Sequence, residues 1–399
     1  MKTHALSFHI ALLFVVQTAL AQIWTYQTTL PTFNYGYCGG LAVSADGSRP
    51  VATVYYPVDP FDYNGQESPV CLSTNSGGAW TQNFSLYPYY WWGLISSSAD
   101  GTKLAAVSID GSVSFSTNSG LSWTHSFNEP QATWYSIATS SDGNTLALVG
   151  DNAPIYISTN SGITWASSQP DVSANLWHSV AVAHNGKKIF AANFYPGSIY
   201  FTTNYGVSWA SCGVSNQWWS LASSSDGEKL IAGAVGSPIL LSTNSGMTWS
   251  AATTPNTYWL SVASSADGER LAAITDGGQI YTSADSGATW ITNNVPNTNW
   301  STVVSSADGN RLYAVTVGGQ IYTSFSTPTP KLKIFGSTSN LTISWTTPSK
   351  HFVLEQSATL ASPSWLVVSN FPTLNYTNLE NQITLSAPTA SVFYRLVTP

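Results

Sequence analysis

Ser73-Thr-Asn75-Ser-Gly77-Gly-Ala-Trp80 is followed by a near-copy, Ser116-Thr-Asn118-Ser-Gly120-Leu-Ser-Trp123. The phrase returns at residues 158–165, 202–209, 242–249 and 283–290, with Asp285 in place of Asn in the last copy. Successive Asn/Asp positions lie 43, 42, 44, 40 and 41 residues apart. A second phrase, Ser-x-Asp-Gly, interleaves with the first. Its acid stands at Asp46, Asp100, Asp142, Asp226, Asp267 and Asp308, and Asn185 takes the position once. Repetition at this interval marks an array of small structural units, each unable to bury its apolar face alone.

The segments between the turn phrases read as strands. In the unit around Asp267 they are residues 260–264, 270–275, 279–283 and 289–292, rich in Val, Ile, Tyr and Trp and bounded by Gly or Asp. Four strands per repeat of about 42 residues is the period of propeller blades. Seven Ser-x-Asp-Gly copies, counting the Asn185 one, predict seven blades. The last unit has three strands, then breaks into Thr327-Pro-Thr-Pro330, while Ile23-Trp24-Thr25-Tyr26 stands alone near the start. The reading is an all-β, seven-bladed β-propeller over residues 22–326, with the N-terminal strand completing the last blade. Such a closure removes an open sheet edge.

Ser-x-Asn/Asp-x-Gly-x-x-Trp resembles the Asp-box, or BNR repeat. That repeat is found in sialidases, certain xyloglucanases, sortilin-type receptors and photosystem II assembly propellers. The resemblance covers residues 22–326 and implies a propeller. It implies no single activity, because enzymes and binders share this turn. Asn Oδ1 accepts the backbone N–H bonds of such a turn as Asp does. After a linker at 327–330, residues 331–399 alternate in short runs such as Leu341-Thr-Ile-Ser-Trp345 and Val392-Phe-Tyr-Arg-Leu396, as a small β-sandwich does. This segment is similar to a C-terminal module on secreted environmental bacterial proteins that ends in Phe-Tyr-Arg-Leu.

Residues 1–21 read as a signal peptide. Lys2 precedes a mostly apolar run, and Ala19-Leu20-Ala21 supplies a small-x-small site, so cleavage is expected after Ala21. The expected location is extracellular or periplasmic, and no later apolar run is long enough to insert in a membrane. The charge balance is −7 with only 12 Lys plus Arg, and Lys187-Lys188 is the sole basic pair in the repeats. A nucleic-acid partner is therefore not expected. Cys38, Cys71 and Cys212 make an odd count and no disulfide framework.

Six Trp residues, Trp92, Trp134, Trp177, Trp218, Trp259 and Trp300, each stand eight residues before an Asp-Gly or Asn-Gly turn, and Cys38 holds that place in the first unit. They begin the innermost strands, on the face opposite the turn phrases. One reading wedges them between blades. The other makes them an aromatic platform at the channel mouth for a glycan or an extracellular partner protein, with Trp91, Tyr135, His178, Trp219 and Tyr258 beside them.

Catalysis has fewer carriers. A sialidase needs clustered arginines, and the four present are Arg49, Arg270 and Arg311 beside Asp-Gly turns and Arg395 far from them. A glycosidase needs two facing carboxylates. Candidate acids on the face opposite the turns are Asp59, Asp62, Glu67, Asp110, Glu129, Asp151, Asp171 and Asp276, of which Asp62, Glu129 and Asp151 are the weak catalytic candidates. No motif selects a pair. Residues 57–69 form a long loop whose Asp62-x-Asn64-Gly65-x-Glu67 partly matches an oxygen-rich calcium loop. His125, His178, His184 and His351 lack metal-ligand spacing, so no cofactor is expected. The expectation is a secreted, non-catalytic binding propeller; the alternative is a glycoside hydrolase acting on neutral polysaccharide.

Overall fold

The structure is a computed structural model. It describes residues 23–30, 37–55, 69–84, 92–108, 111–126, 132–170, 176–195, 197–326, 332–336, 340–346, 353–359, 365–370, 372–375, 380–386, 388 and 392–397. Every regular element among them is a β-strand, and all pairing is antiparallel.

Each repeat folds onto itself. Trp218–Ser223, Leu230–Ala234, Leu240–Ser242 and Ser250–Ala251 are hydrogen-bonded in that order. Equivalent sheets are headed by Tyr37–Val43, Trp92–Ser97, Thr133–Thr139, Leu176–Val182, Trp259–Ser264 and Trp300–Ser305. A single bridge, Asp151 to Leu176, links the sheets headed by Thr133 and Leu176. In the sheet headed by Trp300–Ser305, the outermost strand is Trp24–Thr29, paired with Gln320–Phe325 from Trp24↔Ser324 to Thr29↔Gln320.

The turn phrases fold by side-chain capture of the backbone. The Ser73 hydroxyl accepts the Gly77 N–H at 2.9 Å, and Asn75 Oδ1 accepts the Ala79 N–H at 2.8 Å. The same two bonds recur in every copy, with Thr202 for Ser and Asp285 for Asn in single cases. The residue before each Gly adopts a left-handed conformation, as Ser76 does at φ 64°. That strain is offset by the captured N–H groups.

Apolar cores lie between sheets. One joins Ala42, Val51, Val70 and Leu72 to Trp92, Ile95, Leu104 and Ala106 of the following sheet. Another joins Cys38, Leu41, Val54 and Cys71 of the first sheet to Tyr313, Val315 and Ile321 near the end of the repeats. A chain of main-chain bonds runs through the Asp-Gly hairpins. The N–H of Ala45 donates to Ala99, Ala99 to Ser141, Ser141 to His184, His184 to Ser225, Ser225 to Ala266, Ala266 to Ala307, and Ala307 back to Ala45, all between 2.7 and 3.1 Å. The series returns to its start.

The described residues between 332 and 397 form two further sheets that share one core. Leu341, Ile343, Trp345 and Ile383 of one meet Leu354 and Val368 from the side of the other. All three cysteines are free and buried, and burial pushes their thiols up, to about 12 for Cys71 and Cys212.

Candidate functional site

A three-residue unit, Trp-x-Ser, organises the start of the inner strands. In Trp134-Tyr135-Ser136, Trp177-His178-Ser179, Trp218-Trp219-Ser220 and Trp259-Leu260-Ser261, each residue does a different job. In three of the four the Trp bonds back to the preceding sheet, while Trp177 packs there without such a bond: Trp134 Nε1 donates to Gly111 O at 3.1 Å, Trp218 to Gly197 O at 2.8 Å, and Trp259 to Ser237 O at 2.9 Å. Trp300 does the same to Gly278 O at 3.0 Å. The Ser reaches forward. Its hydroxyl accepts an N–H from the next inner strand, from Val180 at Ser136, Leu221 at Ser179, Val262 at Ser220 and Val303 at Ser261.

This corrects one expectation. Trp92, Trp134, Trp177, Trp218, Trp259 and Trp300 are not an open platform: none is more than 4% exposed. A ring without accessible surface has no face to offer a ligand. Adjacent sheets close over these indoles, and the repetition of Trp reflects the repetition of that wedge.

The middle residue behaves differently. The ladder register slips between Trp134 and Ser136, Trp177 and Ser179, Trp218 and Ser220, and Trp259 and Ser261, so the residue between is a β-bulge. Gly39, Gly93 and Ser301 sit at the same slip in their strands. Bulged residues of neighbouring strands meet. Tyr135 stacks on His178 with centroids 5.0 Å apart and 18° between planes. His178 lies 3.9 Å from Trp219, which meets the Tyr258 ring edge to face at 4.8 Å. Phe194 backs both His178 and Trp219 at about 6 Å. Tyr135 is 37% exposed, and Tyr195 nearby is 71% exposed. The two inner strands before the Tyr135 strand carry glycines at the bulge, Gly93 on the adjoining strand and Gly39 on the one before it. A Cβ on Gly39 would fall 2.7 Å from Gly93 Cα, whereas one on Gly93 would meet nothing within 4 Å. Among the described residues the bulged position is thus aromatic on three consecutive strands and glycine on the two before them.

Burial lowers the His178 pKa against the opposing pull of its bond to Trp219 O, so the imidazole is neutral at pH 7. Its Nδ1–H donates to that carbonyl at 3.0 Å. Burial and the Asp276 carboxylate push the Tyr258 phenol up to about 12. Asp276 follows the second strand of its sheet and donates its N–H to Tyr258 O at 2.9 Å. Asp151 ends the second strand of the Tyr135 sheet, opposite Thr133.

Cations gather at the other end. Arg49 reaches Ser119 Oγ at 3.0 Å, Lys103 reaches Asn144 Oδ1 at 2.6 Å, Lys188 reaches Glu228 at 2.7 Å, and Arg270 reaches Ser326 Oγ at 2.8 Å. Arg311 donates to Gly47 O at 3.0 Å and is buried. Each of these side chains ties its own hairpin to the following sheet, and only the Asp142-Gly143 hairpin has an uncharged residue, Thr145, at that place. They are not the freely solvated turn residues that their position in the sequence suggests.

Of the catalytic candidates, only Asp151 is among the described residues; Asp62 and Glu129 lie outside them, as do Asp59, Glu67, Asp110, Asp171 and Trp91. The calcium-like segment also lies outside them. Among the described residues no group of three or more His, Cys, Asp or Glu is placed to hold a metal. Sequence reasoning had Tyr135, His178, Trp219 and Tyr258 beside the site but missed that the first three are bulged. Their shared offset of one residue after each Trp is the signal that identifies them.

The sequence matches no family model, and no curated protein is similar to it. The fold is similar to many solved structures, two of which are YCF48 structures. One is described as YCF48 bound to D1 peptide, with TM-score 0.59 and 15% identity over 76% of this chain and 97% of that chain. The other is YCF48 from Cyanidioschyzon merolae, with TM-score 0.56 and 16% identity over 77% of this chain and 99% of that one. At this identity the likeness establishes a β-propeller and leaves the ligand open.

Proposed function

We propose that the chain is a seven-bladed β-propeller with a small β-sandwich behind it, its first strand completing the last blade. In this reading it is exported by residues 1–21 and works outside the cytoplasm as a non-catalytic binding protein. The partner is a protein, held at the mouth of the central channel on the face opposite the turn phrases. The seven returning main-chain bonds and the pairing of Trp24–Thr29 with Gln320–Phe325 support the architecture. The arc of Tyr135, His178 and Trp219 carries the binding reading. It is partly exposed, and it is built from residues that break the repeat. The similar YCF48 structure with a bound D1 peptide supports a peptide as the kind of ligand such a propeller takes. No cofactor enters this reading.

Hydrolysis of neutral polysaccharide is the competing reading. Purified mature protein incubated with β-glucans, xylans and mannans is expected to release no reducing sugar. Release that disappears in Asp151→Asn would overturn the binding reading and place a carboxylate mechanism at this face.

A further inference from the structure

The aromatic arc at the channel mouth has no Lys or Arg of the repeats beside it. Between residues 23 and 326 the chain has seven Lys and Arg, at positions 49, 103, 187, 188, 229, 270 and 311. All seven follow Asp-Gly or Asn-Gly turns, at the end opposite the mouth. Five of them are tied there by the inter-sheet bonds already given, and Lys229 is tied to Ser286 Oγ at 3.1 Å. At the mouth the described charged groups are Asp151 and Asp276, and the neutral His178 adds no opposing charge. The two acids flank the arc, Asp151 in the Tyr135 sheet and Asp276 beside Tyr258.

We infer that the mouth selects a basic peptide segment, seating a Lys or Arg side chain against Tyr135 and Trp219 with its charge toward Asp151 and Asp276. This rests on the binding reading above and narrows it to one partner chemistry. Aromatic faces attract Lys and Arg cations, and Arg stacks on them by its planar guanidinium. The aliphatic stem covers the ring while the charged head stays near carboxylates and water. A Cβ on Gly93 meets no described atom within 4 Å and Gly93 does not adopt a left-handed conformation, so a side chain can be placed there without backbone strain to probe the space beside Tyr135. A neutral glycan would use the rings but has no charge for the two carboxylates to attract. An acidic peptide would be repelled by it.

Fluorescence anisotropy with the mature full chain tests this. The probes are three labelled ten-residue peptides with one shared Gly-Ser-Leu frame, carrying three Arg, three Gln or three Glu. The Arg peptide is expected to bind at least ten-fold more tightly than the Gln peptide, with the Glu peptide weakest. Its affinity should fall several-fold between 50 and 300 mM NaCl. Trp219→Ala and Tyr135→Ser should each weaken it about ten-fold, and Asp276→Asn should flatten its salt dependence. Gly93→Leu, which puts a side chain into that space without disturbing a packed ring, should block binding while leaving the melting temperature unchanged. Leu121→Ser at the opposite end is the control that should change nothing.

Equal binding of all three peptides, still lost in Gly93→Leu, overturns the charge selection and leaves the mouth as a binding site. Arg-peptide binding indifferent to Gly93→Leu and Tyr135→Ser overturns the site itself. Binding of a neutral β-glucan hexasaccharide at the same residues, with no peptide bound, overturns the choice of partner.

Discussion

At the residue scale the molecule depends on short polar side chains that hold backbone. Burial alone would raise the carboxyl of Asp46, yet its bonds from Ser44, the Ser48 N–H and hydroxyl, and nearby Arg49 bring it below the ordinary carboxylate range. Asp100, Asp142 and Asp285 show the same direction, with burial opposed and outweighed by bonds from Ser98 and Thr102, Ser140 and Asn144, and Thr289 and Ser283. The sign follows from linkage. A depressed native pKa contributes stability above the unfolded value of about 3.9, and that contribution disappears as pH falls through the native value. Melting temperature is therefore expected to stay level from pH 7 to about pH 5 and to drop steeply below about pH 4. Asp46→Asn should shallow that drop, since the amide keeps the acceptor and loses the titration. A drop of equal depth in Asp46→Asn would exclude this carboxylate as a contributor.

At the element scale, the strands and turns were legible and the bulges were not. The turn phrases announce themselves because each needs the same Ser, Asn or Asp, Gly and Trp to make the same bonds. The inner Trp is legible for the same reason, but its letter leaves two readings open. Only the packed structure shows the indole closed over by the preceding sheet, as Trp218 is at 0% exposure. The bulged position carries Gly39, Gly93, Tyr135, His178, Trp219, Leu260 and Ser301, so no repeated letter marks it. Repetition identifies scaffold, and a fixed place with a changing letter identifies the candidate site. The first strand gives a sharp test of closure. Deleting residues 23–29 would uncover the edge of Gln320–Phe325, a strand with four buried residues. The truncated protein is expected to melt at least 10 °C lower and to elute as oligomers in size-exclusion chromatography; an unchanged monomer would count against the closing strand.

At the scale of the whole molecule, no sheet among the described residues has a core of its own. The apolar clusters lie between consecutive sheets, and one of them joins Cys38 and Val54 to Tyr313 and Ile321 across the length of the repeats. Arg311 and Tyr313 both bond Gly47 O, at 3.0 and 2.7 Å, over the same junction. Loss of one sheet strips apolar cover from both neighbours, so the repeats should unfold as one cooperative unit. Urea denaturation followed by Trp fluorescence and by far-ultraviolet circular dichroism is expected to give coincident midpoints over the propeller transition. Separated midpoints would mean that sheets open independently.

The hairpin bonds that run from Ala45 round to Ala307 also make the two ends of the repeats unlike. Ala45, Ala99 and Ala307 pack against one another at the hairpin end, with Ala266 alongside. There the backbones of neighbouring sheets are tied directly, amide to carbonyl. At the far end Tyr135, His178 and Trp219 meet through their rings, so substitution there leaves the main-chain clasp untouched.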